Sequence, residues 1–289
     1  MTLHGLLFDW SMDGATGAVF LVLVVALGLV YVAAARHGER RDRRRRPWPV
    51  RRTSCFLGGL ALLAVDLYSG IGSAADEQLS AHMVEHMVMW VMVAPLLAAG
   101  APVRLALFSL GRTGRGRLAR ALHSHVVSTL TRPTVSVAVF SAALILTHIP
   151  AVYGLALSND YVHEAEHALY LTTALLVWVP LLGVDPFPHR AGPRGQFGCM
   201  LACMVPMLLI AVWLGAAGHV VYAHYLDGQG VPAALHDQRV AATIMWAGGL
   251  PAFLVPALSA LGFPASARRR GRAEARTERR EVASQRAAA

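Results

Sequence analysis

Seven blocks of apolar residues alternate with short polar stretches along the chain. Each block has 19 to 27 residues, and a helix needs about 20 residues to cross the hydrocarbon core of a bilayer. Only helices and closed barrels satisfy their backbone hydrogen bonds in lipid, and uninterrupted apolar runs of this length favour helices. The pattern therefore predicts an all-α, polytopic membrane protein with seven transmembrane helices. The blocks are residues 14–35, 54–72, 82–108, 134–157, 163–184, 198–222 and 238–262.

The arginines predict how this bundle is oriented. They are concentrated in every second polar stretch, and cytoplasmic loops are the ones enriched in basic residues. The alternation requires an odd number of helices, and it places the N-terminus outside and the C-terminus in the cytosol. The arginine-rich stretches are 36–52, 109–132, 184–197 and the tail from Arg268, whereas 1–13, 73–81, 158–162 and 223–237 contain no arginine.

Composition supports a membrane location and argues against nucleic-acid binding. Hydrophobic residues make up 55% of the chain, charged residues 15%, and the net charge is +9; a soluble domain usually has about 25% charged residues. Because the positive charge lies in loops and tail, it indicates orientation in the membrane. We expect a multi-pass protein of the cell membrane, with a transmembrane domain over residues 1–267 and a basic, flexible cytosolic tail over 268–289 near anionic headgroups.

Two short motifs contain the candidate chemistry. His82, Glu85 and His86 stand at the start of the third block, and His163 and His167 at the start of the fifth. Side chains four residues apart lie one turn apart on the same helical face, so each histidine pair can reach one metal ion. Both helices are expected to begin on the outer side, which puts the two pairs at one depth. Neutral imidazole suits copper, zinc and iron.

Other residues offer additional ligands, each with an ordinary structural alternative. Thioether sulfur favours Cu(I), although methionine also packs commonly between helices. Two cysteines on the sixth block have the same ambiguity, because a buried cysteine often acts as a small hydrophobic residue. The polar candidates could equally cap or hydrogen-bond helix ends. These further candidates are Met83, Met87, Met245, His148, His219, His224, Glu166, Asp237, Cys199 and Cys203.

Three other classes of protein share parts of this pattern. His-x-x-Glu-His is also the zinc motif of the inverzincin peptidases, but no segment outside the bilayer is large enough for a peptidase cleft. Haem needs two histidines deep on facing helices, whereas these histidines exceed two and cluster towards the outer surface, so haem ranks below a metal-ion site. A retinal protein needs a lysine for its Schiff base, and the chain contains no lysine.

Four short sequence blocks resemble the motifs of a known protein family. They are HMVEHMVM with APLLAAGAP (82–89 and 94–102), HIPAVY (148–153), WVPLLGVDP (178–186) and DQRVAATIMW (237–246). In order and spacing these blocks resemble the seven-helix CtaG family of cytochrome c oxidase assembly factors, found beside caa-type oxidases. The resemblance covers roughly residues 50–262. Two positions depart from the family pattern: Glu85 replaces an expected amide residue, and Ala242 replaces an expected glycine.

The resemblance implies a role in producing active cytochrome c oxidase by supplying it with copper. We therefore expect a non-enzymatic assembly factor in which the two histidine pairs are the core ligands of a transiently bound copper ion. The implied partners are subunits of cytochrome c oxidase and an external copper chaperone, together with the lipid bilayer. Two alternatives stay open: a copper transporter, with the Cys199–Cys203 pair on its path, and an oxidase scaffold that binds no metal.

Overall fold

Helices and turns account for all the regular structure in the described part of the chain, and the all-α prediction is confirmed. The computed structural model describes residues 14–41, 47–226 and 230–262, and these ranges contain no strand. The predicted tail at 268–289 lies outside them. The helices are α1 (Gly14–Arg41), α2 (Val50–Tyr68), α3 (Gly70–Glu77), α4 (Leu79–Val88), a π-helical turn (Met89–Val93), α5 (Ala94–Ala99), α6 (Pro102–Ser109), α7 (Arg112–Leu122), α8 (His125–Leu130), α9 (Pro133–Thr147), α10 (Pro150–Leu157), α11 (Asp160–Leu182), α12 (Pro193–Ala216), a 3-10 turn (Ala223–Leu226) and α13 (Val231–Gly262).

The number of candidate membrane spans is lower than the seven apolar blocks predict. Four helical stretches are long and apolar enough to cross a membrane: Gly17–Arg41, Leu79–Ser109, Asp160–Leu182 and Pro193–Ala216. The helices α9 and α10 would add a fifth if they formed one span, but they are bent by 76° relative to each other. By length and composition, the described residues therefore provide four or five spans, and not clearly seven.

The second and seventh blocks account for most of this difference. The helix α2 has 19 residues and carries Arg51, Arg52 and Asp66, so only residues 53–65 form an uncharged stretch, which is shorter than the roughly 20 residues that a span needs. The seventh block lies within α13, whose side chains are described only as far as residue 248. The orientation of the chain in the membrane stays a prediction.

The bend between α9 and α10 has a local cause. The helix α9 has His148 as its C-cap, and α10 begins at Pro150. Ile149 has extended φ and ψ angles of −64° and 126°, because the ring of a following proline disfavours the helical conformation. Proline is itself well accommodated in the first turn of α10. The bend leaves His148 buried at a corner of the chain, with 4% of its surface exposed.

Asp185 ties the loop after α11 to the start of α6. Its carboxylate accepts hydrogen bonds from the backbone N–H groups of Arg104 and Val103, at 2.7 and 3.4 Å. These groups belong to the first turn of α6, where no intrahelical carbonyl is available to them. Burial raises the pKa of the Asp185 carboxyl, while the two backbone hydrogen bonds oppose that shift. The aspartate of the WVPLLGVDP block thus caps a helix.

Packing between helices surrounds α4 and α11, which carry the two histidine pairs. The helix α13 packs along α12 and α4, whereas α11 packs against α9, α10 and α5. Gln238 of α13 fixes the chain that follows α12. Its amide oxygen accepts a hydrogen bond from Val221 N–H at 2.8 Å, and its amide nitrogen donates to the carbonyls of Leu214 and His219 at 3.0 and 3.2 Å.

Candidate metal centre

Four histidines from α4 and α11 converge in the interior of the bundle. Within each helix the imidazole centroids are 4.3 Å apart, both for His82 with His86 and for His163 with His167. Between the helices, His82 faces His163 at 5.4 Å and His86 faces His167 at 5.5 Å. We call these four residues the histidine cluster. Its compactness means that ligands from both helices can reach the same ion.

Two glutamates bring carboxylate oxygens to the cluster. The ligand atoms of His82, His86 and Glu166 all lie within 4.8 Å of one another, and so do those of His82, Glu85 and His163. With metal–ligand bonds of 2.0–2.2 Å, two ligand atoms on one ion lie at most about 4.4 Å apart. Small side-chain rotations therefore suffice to bring three ligands of either group onto one ion.

Most polar atoms of the cluster have no hydrogen-bond partner in the described protein. Both ring nitrogens of His82, His86 and His167 are buried and lack a partner. The same is true of Nε2 of His163 and Oε2 of Glu166. Each unsatisfied buried polar atom costs roughly 1–3 kcal/mol, so a group of this size requires compensation from ordered water or from a ligand. A metal ion bound by imidazole nitrogens and a carboxylate oxygen meets that requirement, and the residues present fit it.

Acidic residues around the cluster favour a cation. Oε2 of Glu85 lies 3.6 Å from Nε2 of His167, which is an ion-pair distance but too long for a hydrogen bond. Asp66 of α2 is 1% exposed, and neither of its carboxylate oxygens has a hydrogen-bond partner among the described residues. Buried charges in proteins are paired or coordinate metals.

Hydrogen bonds from outside each helix fix the starts of α4 and α11. The side chain of Asn159 caps α11 by accepting hydrogen bonds from the N–H groups of Tyr161 and Val162 at 3.0 and 3.3 Å, a common helix-capping arrangement. In α4, Oδ2 of Asp237 accepts a hydrogen bond from Ser80 N–H at 3.3 Å. Both helices are therefore held one or two residues before their first histidine.

A π-helical turn, Met89–Val93, directly follows the histidine-bearing part of α4. Trp178 of α11 donates its indole N–H to the carbonyl of Trp90 within this turn, at 2.9 Å. Single π-turns inside α-helices occur frequently at functional sites. Here the turn connects the two ligand helices and thereby helps to fix the orientation of one histidine pair relative to the other.

Tyr170 and His148 flank the cluster beside α9. The ring of Tyr170 lies 4.4 Å from that of His86, and its hydroxyl is 2.5 Å from Thr147 Oγ1. Nδ1 of His148 donates a hydrogen bond to the Leu144 carbonyl at 2.8 Å. Because a carbonyl only accepts, the proton must be on Nδ1, and Nε2 carries the lone pair. That Nε2 is buried without a partner in the described chain, so it is available as a ligand.

Several candidates named from the sequence lie elsewhere. His219 and His224 are exposed, and neither belongs to a group of close ligand atoms in the described ranges. Nε2 of His224 instead lies 3.3 Å from the Asp76 carbonyl. The pair Cys199 and Cys203 lies on α12, with Cys203 fully buried, and is also outside those groups. Metal binding by these residues stays a prediction.

The methionines lie on one flank of the cluster. Met83, Met87 and Met245 line a small cavity whose wall includes His86. Met207 of α12 lines the same cavity. In the sequence it follows Cys203 by one helical turn, and thioether and thiolate ligands in such a block are suited to Cu(I). The spacing alone does not indicate that Met207 lies beside Met83 and Met245, because that depends on the packing of α12.

The sequence matches one protein family profile and several mycobacterial proteins. The sequence profile of the cytochrome c oxidase caa3 assembly factor family, Caa3_CtaG, matches residues 29–263. Uncharacterized proteins of Mycobacterium bovis and Mycobacterium tuberculosis are each 28% identical over 255 residues, and one of Mycobacterium leprae is 27% identical over 257 residues. Each alignment covers 85% of this chain but 38% of the relative, so the chain spans well under half the length of these proteins. No solved structure matches it.

Proposed function

Because this chain belongs to the cytochrome c oxidase caa3 assembly factor family, we propose that it binds copper transiently at the histidine cluster and passes it to the oxidase. Membership of this family indicates the process in which the chain takes part, namely the assembly of cytochrome c oxidase. The observation that carries the copper proposal is the convergence of four imidazoles whose buried nitrogens lack partners in the described protein. Copper is the cargo, and the chain acts as a carrier rather than an enzyme.

The donor atoms are suited to copper in particular. Imidazole binds copper, zinc and iron, but a given nitrogen and oxygen site generally binds Cu(II) more tightly than the other divalent ions of its row. Thioether sulfur next to the imidazoles adds affinity for Cu(I). Both oxidation states of copper therefore find ligands within one region, which is useful to a carrier.

We place the histidine cluster towards the outer side of the membrane. The arginine alternation predicts that the third and fifth apolar blocks begin outside, and these blocks begin within the first turns of α4 and α11. A site at that depth can receive copper from an external chaperone and donate it to an oxidase subunit without moving the ion across the bilayer.

The direct test is a strain that carries the His82→Ala/His86→Ala double variant. Hydrogen bonds between transmembrane helices contribute on average only about 0.6 kcal/mol each, so the variant should still insert and accumulate. Two of the four imidazoles are lost, and we expect the oxidase to be deficient in copper and in activity while retaining its haem. Copper and haem contents of the isolated oxidase, together with the amount of the variant in membranes, measure this outcome.

The matched control is His123→Ala/His125→Ala, which removes two exposed histidines that lie outside the cluster. It should leave the oxidase unchanged. A fully copper-loaded oxidase in the His82/His86 variant strain would refute delivery from the cluster and favour a metal-free scaffold. An oxidase lacking haem but replete in copper would point to a haem-related role.

A copper transporter is the second candidate, and one observation favours it. Met207 lies near the cluster, and Cys203 lies one helical turn before it on α12; the two side chains are buried with 5% and 0% exposure. Soft ligands thus continue along α12 beyond the cluster. Transport predicts copper uptake into proteoliposomes that Cys203→Ser slows, whereas a carrier confined to one side transfers no copper across the membrane.

A further inference from the structure

Methionine side chains line a small cavity beside the histidine cluster. Four methionines from three helices meet there: Met83 and Met87 of α4, Met207 of α12 and Met245 of α13. Met83 and Met245 are each 2% exposed and Met207 is 5% exposed. The cavity has a volume of about 20 Å³, somewhat above the minimum of about 10–15 Å³ that one water molecule needs. It therefore has room for one small ion.

His148 lies in the wall of the same cavity and has a buried ring nitrogen without a partner in the described chain. Its Nδ1–H donates to the Leu144 carbonyl at 2.8 Å, and its Nε2 is buried with no partner in the described chain. A hydrogen bond from the second ring nitrogen to a backbone carbonyl is how metal-binding histidines are commonly oriented. His148 lines the cavity but belongs to neither group of close ligand atoms in the cluster.

We propose that this methionine-lined cavity is a second copper site, selective for Cu(I), adjoining the histidine cluster. Thioethers are neutral, soft ligands that favour Cu(I), whereas carboxylates favour harder divalent ions. No acidic residue of the described chain lines the cavity, while Glu85 and Glu166 contribute to the cluster. The two sites therefore differ in the ion that they prefer. The identification of the ion as copper rests on the proposed function.

His86 connects the two sites. Its ring belongs to the ligand group with His82 and Glu166, and it also forms part of the cavity wall. Neither of its nitrogens has a hydrogen-bond partner in the described residues. An ion can therefore move between cavity and cluster by exchanging the other ligands around His86, without passing through solvent.

Ag(I) is the appropriate probe, because it is soft and monovalent like Cu(I) and is not readily oxidised. The purified full-length protein is titrated with Ag(I), and X-ray absorption reports sulfur ligands of the bound ion. The Met207→Leu/Met245→Leu variant nearly conserves side-chain volume and should bind about one equivalent of Ag(I) fewer, since it lacks two soft ligands. The sulfur signal should fall with it, while Zn(II) binding at the histidine cluster is retained.

Met92→Leu is the matched control, because Met92 lies on the adjacent π-helical turn but is 49% exposed. It should bind Ag(I) and Zn(II) like the wild type. Unchanged Ag(I) stoichiometry and sulfur signal in the double variant would overturn the proposal. Loss of Zn(II) together with Ag(I) in a folded double variant would also overturn it, because the two ions would then share one site.

Two further measurements keep the result interpretable. If the double variant does not fold, His148→Gln and Met245→Leu are tested singly, and wild-type Ag(I) binding in both would refute the cavity site. The proposed function fails on a different observation. A copper-replete oxidase in the His82→Ala/His86→Ala strain, combined with silver–sulfur coordination in the wild-type protein, would retain the cavity site and remove the delivery role.

Discussion

Glu166 of α11 has a carboxylate oxygen within 4.8 Å of ligand atoms of His82 and His86 on α4, and its replacement tests whether that oxygen binds the metal. Glu166→Gln keeps the shape of the side chain but removes its charge. We expect the affinity for Zn(II) to fall by about tenfold or more, the scale seen when groups around a metal are altered. Competition with a coloured chelator measures the change.

Glu164 provides the control for this prediction. It lies on the same helix, is half-buried, and is outside the groups of close ligand atoms. Glu164→Gln should bind Zn(II) nearly as the wild type does. Equal losses of affinity in the two variants would indicate a general effect of negative charge, and Glu166 would then not be a ligand.

Individual residues differ in how well the sequence predicts their position. The pairs His82–His86 and His163–His167 follow from the i, i+4 spacing, since helical geometry is local and fixes which side chains share a face. His219 and His224 lie in the connection between α12 and α13, whose path depends on distant contacts such as those of Gln238. Spacing in the sequence does not determine such a path.

At the scale of helices, variants of Asp237 test whether its carboxylate caps α4 or binds the metal. Its carboxylate accepts a hydrogen bond from Ser80 N–H at the start of α4. Asp237→Ala should therefore lower the free energy of unfolding by about 0.5–2 kcal/mol, the range for the loss of a helix cap, with the metal stoichiometry unchanged. Asp237→Asn retains an acceptor oxygen and should be close to the wild type. Thermal unfolding in detergent and metal analysis test both variants, and metal loss in Asp237→Asn would make Asp237 a ligand.

Two interruptions of the helices were only partly predictable from the sequence. The apolar block 134–157 runs through Pro150 without a change in hydrophobicity, so it was interpreted as one helix, although the structure bends there by 76°. The π-helical turn Met89–Val93 contains no proline or glycine, but Pro95 follows it two residues later. Proline removes the hydrogen bond to the carbonyl four residues before it, here that of Val91, so the sequence indicates an irregular helix at this point. The hydrogen bond from Trp178 to this turn has no signal in the local sequence.

For the whole molecule, orientation in the membrane is the prediction with the widest consequences. A reporter fused after Ala289 should be cytosolic, and one inserted near Gly228 should be external, because arginine-rich stretches remain inside. Reporter activity on intact cells and in lysates measures both positions. If the two reporters lie on the same side, the number of spans between them is even, and the cluster does not open to the outside as proposed.

The count of spans illustrates the limit of hydropathy for the whole bundle. Seven apolar blocks are present, yet α2 contains three charged residues and α9–α10 is sharply bent. Apolar composition identifies segments that avoid water, whether they face lipid or other helices. Distinguishing the two requires knowledge of the neighbours of each helix, and the all-α class is therefore more securely predicted than the number of crossings.

The unequal burial of the four clustered histidines has a kinetic consequence. His82, His86 and His167 are 0%, 6% and 4% exposed, whereas His163 is only partly buried. An ion held by this cluster has a single lightly covered side, so spontaneous escape should be slow and the residence time long. An acceptor protein that presents its own ligands near His163 could replace the imidazoles one at a time. The rate of transfer would then depend on the concentration of acceptor, and the carrier would keep its ion until that acceptor docks.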